Sequence, residues 1–353
     1  MLEYRFIAIE TVYLLQYFSE EEDFVYYNNI ESLLNEMGVE NYSPDDCRLF
    51  IDSSRLSLKC VFLHNGNEFG SIQIAHSVKG KESYESVKRV LQLISYDQHE
   101  WIMCVDLKMV CFLLGQQSGY TKYPCFLCLW DSRAKSEHWE RKKWPIREQL
   151  NAGEKNIINE PLLDRNRIAF PPLHIKLGLM KQFVKALDKQ GDCFDYIRRT
   201  FPGLSEDKVK AGISDGSQIR NLIKDTNVIL SMNEIEATAW NAFVEVVTKF
   251  LGNIKHDSYV DIVQNFIQSF HALGCNMSIK IHFLFSHLNS FPENLGDVSD
   301  EQGERFHHDI KTMEERYQGR WDKNIIADFV WCLKRDCINV LHRRKSNKRK
   351  FLP

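Results

Sequence analysis

Cys47-Arg48-Leu49-Phe50-Ile51-Asp52 is a short, mostly apolar run that closes on a carboxylate, and Trp101-Ile102-Met103-Cys104-Val105-Asp106 repeats that form. Between them, Leu56-Ser57-Leu58-Lys59-Cys60-Val61-Phe62-Leu63 alternates with period two, as a half-buried strand does. His64-Asn65-Gly66-Asn67 reads as a hairpin turn, because Asn-Gly readily takes the positive φ that tight turns need. Ser71-Ile72-Gln73-Ile74-Ala75-His76 alternates again and predicts a third strand. Residues 84–94 then place Val87, Val90, Leu91 and Ile94 on one helical face. With a helix before it, the strand ending at Asp106 can pair parallel beside the first. The order is β-β-β-α-β, an α/β fold with a mixed sheet and an acid ending the first and fourth strands.

Working outward, residues 1–46 read as a helical and loop-like segment, with an acidic run at 20–23 and a stop at Pro44. Residues 47–178 form the core. Residues 179–296 form a mainly helical insertion, and 297–340 hold a last helix carrying Glu301, Glu304, His307, His308 and Asp309. Residues 341–353 form a basic tail, Arg343-Arg344-Lys345 through Lys348-Arg349-Lys350. Such a tail suits nuclear localisation or phosphate binding, or is simply solvated.

The chain has 353 residues, 44% hydrophobic and 26% charged, enough to bury a core without disulfide staples. A net charge of −3 makes no global case for nucleic acid. No stretch approaches the roughly 20 apolar residues of a membrane span, and the first residues lack a signal-peptide pattern. Most of the ten cysteines stand singly in apolar stretches, Cys60, Cys104, Cys111 and Cys332 among them. That usage favours a reducing compartment, nuclear or otherwise cytoplasmic, and not secretion. No phosphate-cradling loop, no dinucleotide fingerprint and no Ser-His-Asp pattern is present.

Two constellations carry chemistry. Carboxylates on rigid elements can converge on two divalent ions, and magnesium asks for only two or three of them. Asp52 and Asp106 fit the first two places, and Glu304 or Glu301 fits the third. The simpler alternative for a strand-end aspartate is turn formation. The second constellation is Cys125-Phe126-Leu127-Cys128 after Pro124, whose thiolates can clamp one structural zinc ion. His138 and His174 are the histidines nearest downstream to complete it. Two buried thiols or a redox pair are the alternatives, but the strand-then-helix setting of a thioredoxin-like pair is missing. His76, His282, His287, His307 and His308 are further candidates. A histidine on an apolar helix face, such as His282 or His287, is more often a core residue. Trp130, Trp139, Trp321 and Trp331 can stack on bases, although packing explains most of them as well.

Taken together, several motifs resemble the DDE/D transposases with an RNase H-like core, particularly their hAT-like and zinc-containing eukaryotic branches. A group of transposon-derived proteins of invertebrates looks closer still. The resemblance rests on the run from Arg48 to Ser54, on Val105-Asp106-Leu107-Lys108, and on Cys125 to Arg133. It continues through Pro172-Leu173-His174-Ile175-Lys176-Leu177-Gly178-Leu179 and Ser299-Asp300-Glu301-Gln302-Gly303-Glu304-Arg305-Phe306-His307. It implies an RNase H-like mixed sheet interrupted by a helical insertion before the last catalytic helix. It also implies DNA cleavage and strand transfer by Asp52, Asp106 and Glu304 on Mg²⁺ or Mn²⁺, with Glu304 favoured over Glu301 by its Gly-Glu-Arg-Phe context. DNA is the implied partner, no membrane is expected, and a homodimer or higher oligomer is possible. Such proteins usually carry a separate N-terminal DNA-binding domain, and only about 46 residues precede the first core strand here. A truncated or domesticated remnant that binds DNA or protein without cutting, and an RNase H-like nuclease, therefore stay open as alternatives.

Overall fold

The computed structural model describes residues 13–337 except 38–41, 54–56, 68–69, 78–81, 213–214, 254, 298, 300 and 318–321. The basic tail at 341–353 lies outside the described residues. The chain is mixed α/β and divides into two compact units. One comprises Met1–Cys104 with Gln302–Pro353, and the other is Val105–Glu301. This division differs from the one read from the sequence, because Cys125 and Cys128 fall in the same unit as the helical stretch that follows.

In the first unit, β1 (Phe18–Glu21), β2 (Phe24–Tyr27), β3 (Cys47–Ser53), β4 (Leu58–His64), β5 (Ile72–Ser77) and β6 (Ile102–Cys104) belong to one sheet. They are ordered β1-β2-β5-β4-β3-β6. β3, β4 and β5 are the expected antiparallel run, and β6 joins β3 in parallel through Arg48↔Ile102 and Leu49↔Met103. The hairpin β1–β2 corrects the reading of the first 46 residues as helices and loops. The acidic run at 20–23 ends β1 with Glu20 and Glu21 and turns at Glu22 and Asp23, where Glu22 takes a positive φ of 55°. β6 also stops at Cys104, two residues short of Asp106.

Side chains that alternate along a strand share a face, and directly paired cross-strand residues share it too. Phe50 and Asp52 therefore project to one side of β3. Asp52 pairs with Lys59, and Lys59 with His76, so the three make one lateral row. Lys59 Nζ reaches Glu314 Oε1 at 2.9 Å, on the helix Glu301–Arg316. That helix meets the same face at Gly303, where a Cβ would run into the Phe50 ring. Glycine at 303 thus allows the helix backbone to lie directly on β3. Trp101 anchors the sheet's other end; it is fully buried, stacks on His99 at 4.4 Å and donates Nε1–H to Tyr42 Oη at 2.6 Å.

The second unit is largely helical. The helices Pro172–Ala186, Glu234–Lys249, Tyr259–Ala272 and Ile279–Ser286 pack around Phe183, Trp240, Phe243, Phe266 and Phe270, all buried. A capping box between Asn233 and Glu236 starts the second of these. Residues 115–164 contain almost no regular structure and are tied down by individual hydrogen bonds. No helix among the described residues is long and apolar enough to cross a membrane.

Candidate metal centre

The candidate metal centre starts at Pro124. Cys125 and Cys128 sit on a tight knuckle in which Leu127 N–H points at Cys125 Sγ at 3.4 Å. A neighbouring segment buttresses the knuckle: Leu129 N–H donates to Pro145 O at 2.8 Å and Arg147 N–H to Leu127 O at 2.9 Å. The Arg147 side chain, 2% exposed, then gathers three carbonyls. Its Nε, Nη1 and Nη2 donate to Cys125 O at 3.2 Å, Lys155 O at 3.1 Å and Tyr123 O at 3.0 Å. One guanidinium thus fixes the path of the chain around the thiols, using the fan of donors that only arginine offers.

The other half comes from the helix Ile279–Ser286, capped by Ser278, whose Oγ accepts Ile281 N–H at 3.3 Å. His282 lies mid-helix and is 1% exposed. His287 follows five positions later, which in an unbroken helix would point about 140° away. The helix ends at Ser286, and His287 turns out of it at φ −126°, ψ 29°. That turn brings both imidazoles to the thiols. Cys128 Sγ lies 3.2 Å from His282 Nε2 and 3.2 Å from His287 Nε2, and Cys125 Sγ lies 3.4 Å from His287 Nε2. The four ligand atoms all fall within 4.8 Å of one another. A tetrahedral zinc ion with ordinary bond lengths separates its ligand atoms by roughly 3.3–3.8 Å, so this group has the right size for one.

The surroundings favour the ligand forms. His282 Nδ1 contacts Ser286 Oγ at 3.2 Å, which leaves Nε2 facing the thiols. Trp130 stacks flat on the His282 ring at 4.6 Å. Burial pushes the His282 pKa down and keeps the imidazole neutral. A hydrogen bond from Cys125 draws the Cys128 thiol down, helped by both imidazoles, while burial pushes Cys125 up.

The expected partners His138 and His174 are not in this group. His138 is buried nearby, its Nε2 2.8 Å from Asp131 O and its ring against Trp130. His174 is half-buried in the first turn of the helix Pro172–Ala186. His282 and His287 take their places. The signal for them was present: His-x₄-His lies within the spacing of zinc-binding histidine pairs, but 153 residues separate it from Cys128.

The carboxylates sit on other elements. Asp52 is half-buried near the end of β3, on the face that Gly303 packs against. Asp106 caps the helix Leu107–Leu113, its Oδ1 accepting Met109 N–H at 2.6 Å. The backbones of Glu301 and Glu304 belong to the helix Glu301–Arg316, and their side chains lie outside the described residues. The same holds for His307 and His308, and Trp321 is outside altogether.

Two domains of unknown function match the chain: DUF8703 over residues 9–163 and DUF8704 over residues 172–252. No curated protein matches it. The boundary between the two matches falls just before the helix that begins at Pro172, and the four metal-site residues do not fall within one match: Cys125 and Cys128 lie in the first, while His282 and His287 lie beyond the second.

Proposed function

We propose that the chain is a transposase-like protein with an RNase H-like sheet, acting on DNA phosphodiester bonds through Asp52, Asp106 and Glu304. One observation carries the reading. The antiparallel run β3-β4-β5 has β6 parallel beside β3, and the helix bearing Glu304 lies on the same face of β3 as Asp52. Asp106 follows β6 by two residues in the chain. These carboxylates would hold two Mg²⁺ or Mn²⁺ ions, which would supply an activated attacking oxygen and stabilise the leaving one. All-oxygen donors suit such hard cations. The cap bond fixes Asp106 through one oxygen and leaves the second to meet a cation. The Cys125–Cys128–His282–His287 group is a different kind of site. Its sulfur and imidazole donors suit zinc in a closed, structural role.

The test is divalent-dependent nicking or strand transfer on labelled DNA. Asp52→Asn and Glu304→Gln should abolish the activity, and Asp52→Asn cutting as fast as the wild-type protein refutes the assignment. A second reading, a domesticated binding protein that does not cut, is favoured by the cap at Asp106, which gives that acid a purely structural use. DNA binding without cleavage under any divalent cation would select it. Preferential cutting of RNA or a hybrid would select an RNase H-like nuclease instead.

A further inference from the structure

The chain carries a net charge of −3, yet residues 120–147 hold seven Lys and Arg against three Asp and Glu. Arg147 is buried beneath the knuckle, whereas Arg133, Lys135, Arg141, Lys142 and Lys143 are exposed. Two of the three acids are occupied, Asp131 by Lys122 at 3.5 Å and Glu137 by Arg141 at 2.7 Å. Lys142 and Lys143 have no ion-pair partner among the described residues. Beside them, the Arg141 guanidinium lies 4.3 Å over the Trp144 ring, and Trp144 Nε1–H donates to Arg141 O at 3.0 Å. Ile146 is 74% exposed.

A solvated charge run needs none of this order. Here the strip is pinned to the metal knuckle through Pro145 O, Arg147 N–H and the Cys128↔Ile146 bridge. Three successive cations, a half-exposed indole and an exposed isoleucine are thus held in place with no covering element among the described residues. We propose that this strip, residues 133–146, is a docking surface for a DNA strand. Phosphates meet Lys142 and Lys143 and draw Arg141 from Glu137, and unpaired bases lie against Ile146 and the Trp144 face away from Arg141. Cations that track a backbone beside flat apolar faces match single-stranded nucleic acid. An acidic peptide would use the cations alone. Because the strip is already ordered, little conformational entropy opposes binding. Only the choice of DNA over RNA rests on the function proposed above.

The experiment measures fluorescence anisotropy of the full chain with a labelled single-stranded DNA, the same sequence as RNA, and a duplex, across a salt series. Each phosphate contact to a single strand contributes a log–log salt slope of about −0.7. The triple variant Arg141→Gln, Lys142→Gln, Lys143→Gln should therefore lower the slope by about 2 and weaken binding on the order of 10–100-fold at 0.1 M salt. Trp144→Ala should weaken binding with little change in slope. Metal content and melting temperature are checked so that misfolding is not read as lost contact. Unchanged affinity and slope in the triple variant overturn the proposal, as does polyglutamate binding as tightly as DNA. Preference for the RNA overturns the choice of DNA. Nicking by the wild-type chain and by Asp52→Asn, measured separately, bears on the proposed function alone, whereas the strip is judged by the affinity and slope of the triple variant.

Discussion

Removing metal from the Cys125–Cys128–His282–His287 group should destabilise the second unit severely, and the structure sets the scale. Cys128 and His282 are 154 residues apart in sequence. Cross-linking a loop of that length removes about 5 kcal/mol of unfolded-chain entropy by the arithmetic used for disulfides. Whole domains are stable by only about 5–15 kcal/mol, so a metal bound here would contribute a large share. For a unit of about 200 residues, 5 kcal/mol corresponds to a fall in Tm of about 10–20 °C. The assay is thermal unfolding followed by circular dichroism, before and after chelation, with bound metal counted by elemental analysis. Cys128→Ser and His282→Ala should each bind less metal and melt near the chelated wild-type protein. His138→Ala should keep the metal. A metal-free protein that melts within about 2 °C of the loaded one would refute the reasoning, because closing so long a loop cannot be that weak.

Two further outcomes follow from the first unit. Gly303→Ala drives a methyl group into Phe50 and should cost about 1–3 kcal/mol; Phe50→Leu should restore part of it in the double variant, read by urea unfolding, and an undisturbed Gly303→Ala protein would contradict the packing. His76 is buried, and burial, aided by the Lys59 charge, lowers its pKa from 6.5 to about 3. The unfolded chain therefore binds the proton first as pH falls. Stability from this group is complete above the unfolded value and drains away between pH 6.5 and about 3. The loss is on the order of 4 kcal/mol across that window. His76→Gln should flatten the pH dependence of urea unfolding there, and an equally steep curve would rule the histidine out.

The strands around Asp52 were legible because alternation is a local signal. Leu58, Cys60 and Phe62 alternate with Lys59, Val61 and Leu63, and the structure pairs that strand as expected. The hairpin β1–β2 is hidden in the sequence because each strand has only four residues and the acidic run that ends the first and forms the turn looks like a solvated loop. Asp106 reads from the sequence as the end of a strand, but a residue that leaves a strand and caps the next helix fits both descriptions locally. The cysteine half of the metal centre was visible at close spacing. The histidine half was not, since only folding of the intervening helices brings His282 and His287 to Cys128. Nearness in sequence pointed to His138, which instead packs on Trp130.

The order of units along the chain has a consequence for synthesis. The second unit is one unbroken stretch, Val105–Glu301, inserted between the two parts of the first. The last residue of its Cys–His group, His287, is made only after nearly all of that unit, so on the ribosome closure of the group comes late and as a single event. The first unit must wait longer. Gly303 reaches Phe50 only after the ribosome has made about 250 further residues, and β3 must keep one face uncovered until then. A nascent chain in that state presents an apolar sheet face to its surroundings, the condition in which chains are most prone to aggregate. Synthesis in cells should therefore depend on chaperones that shield it during the interval.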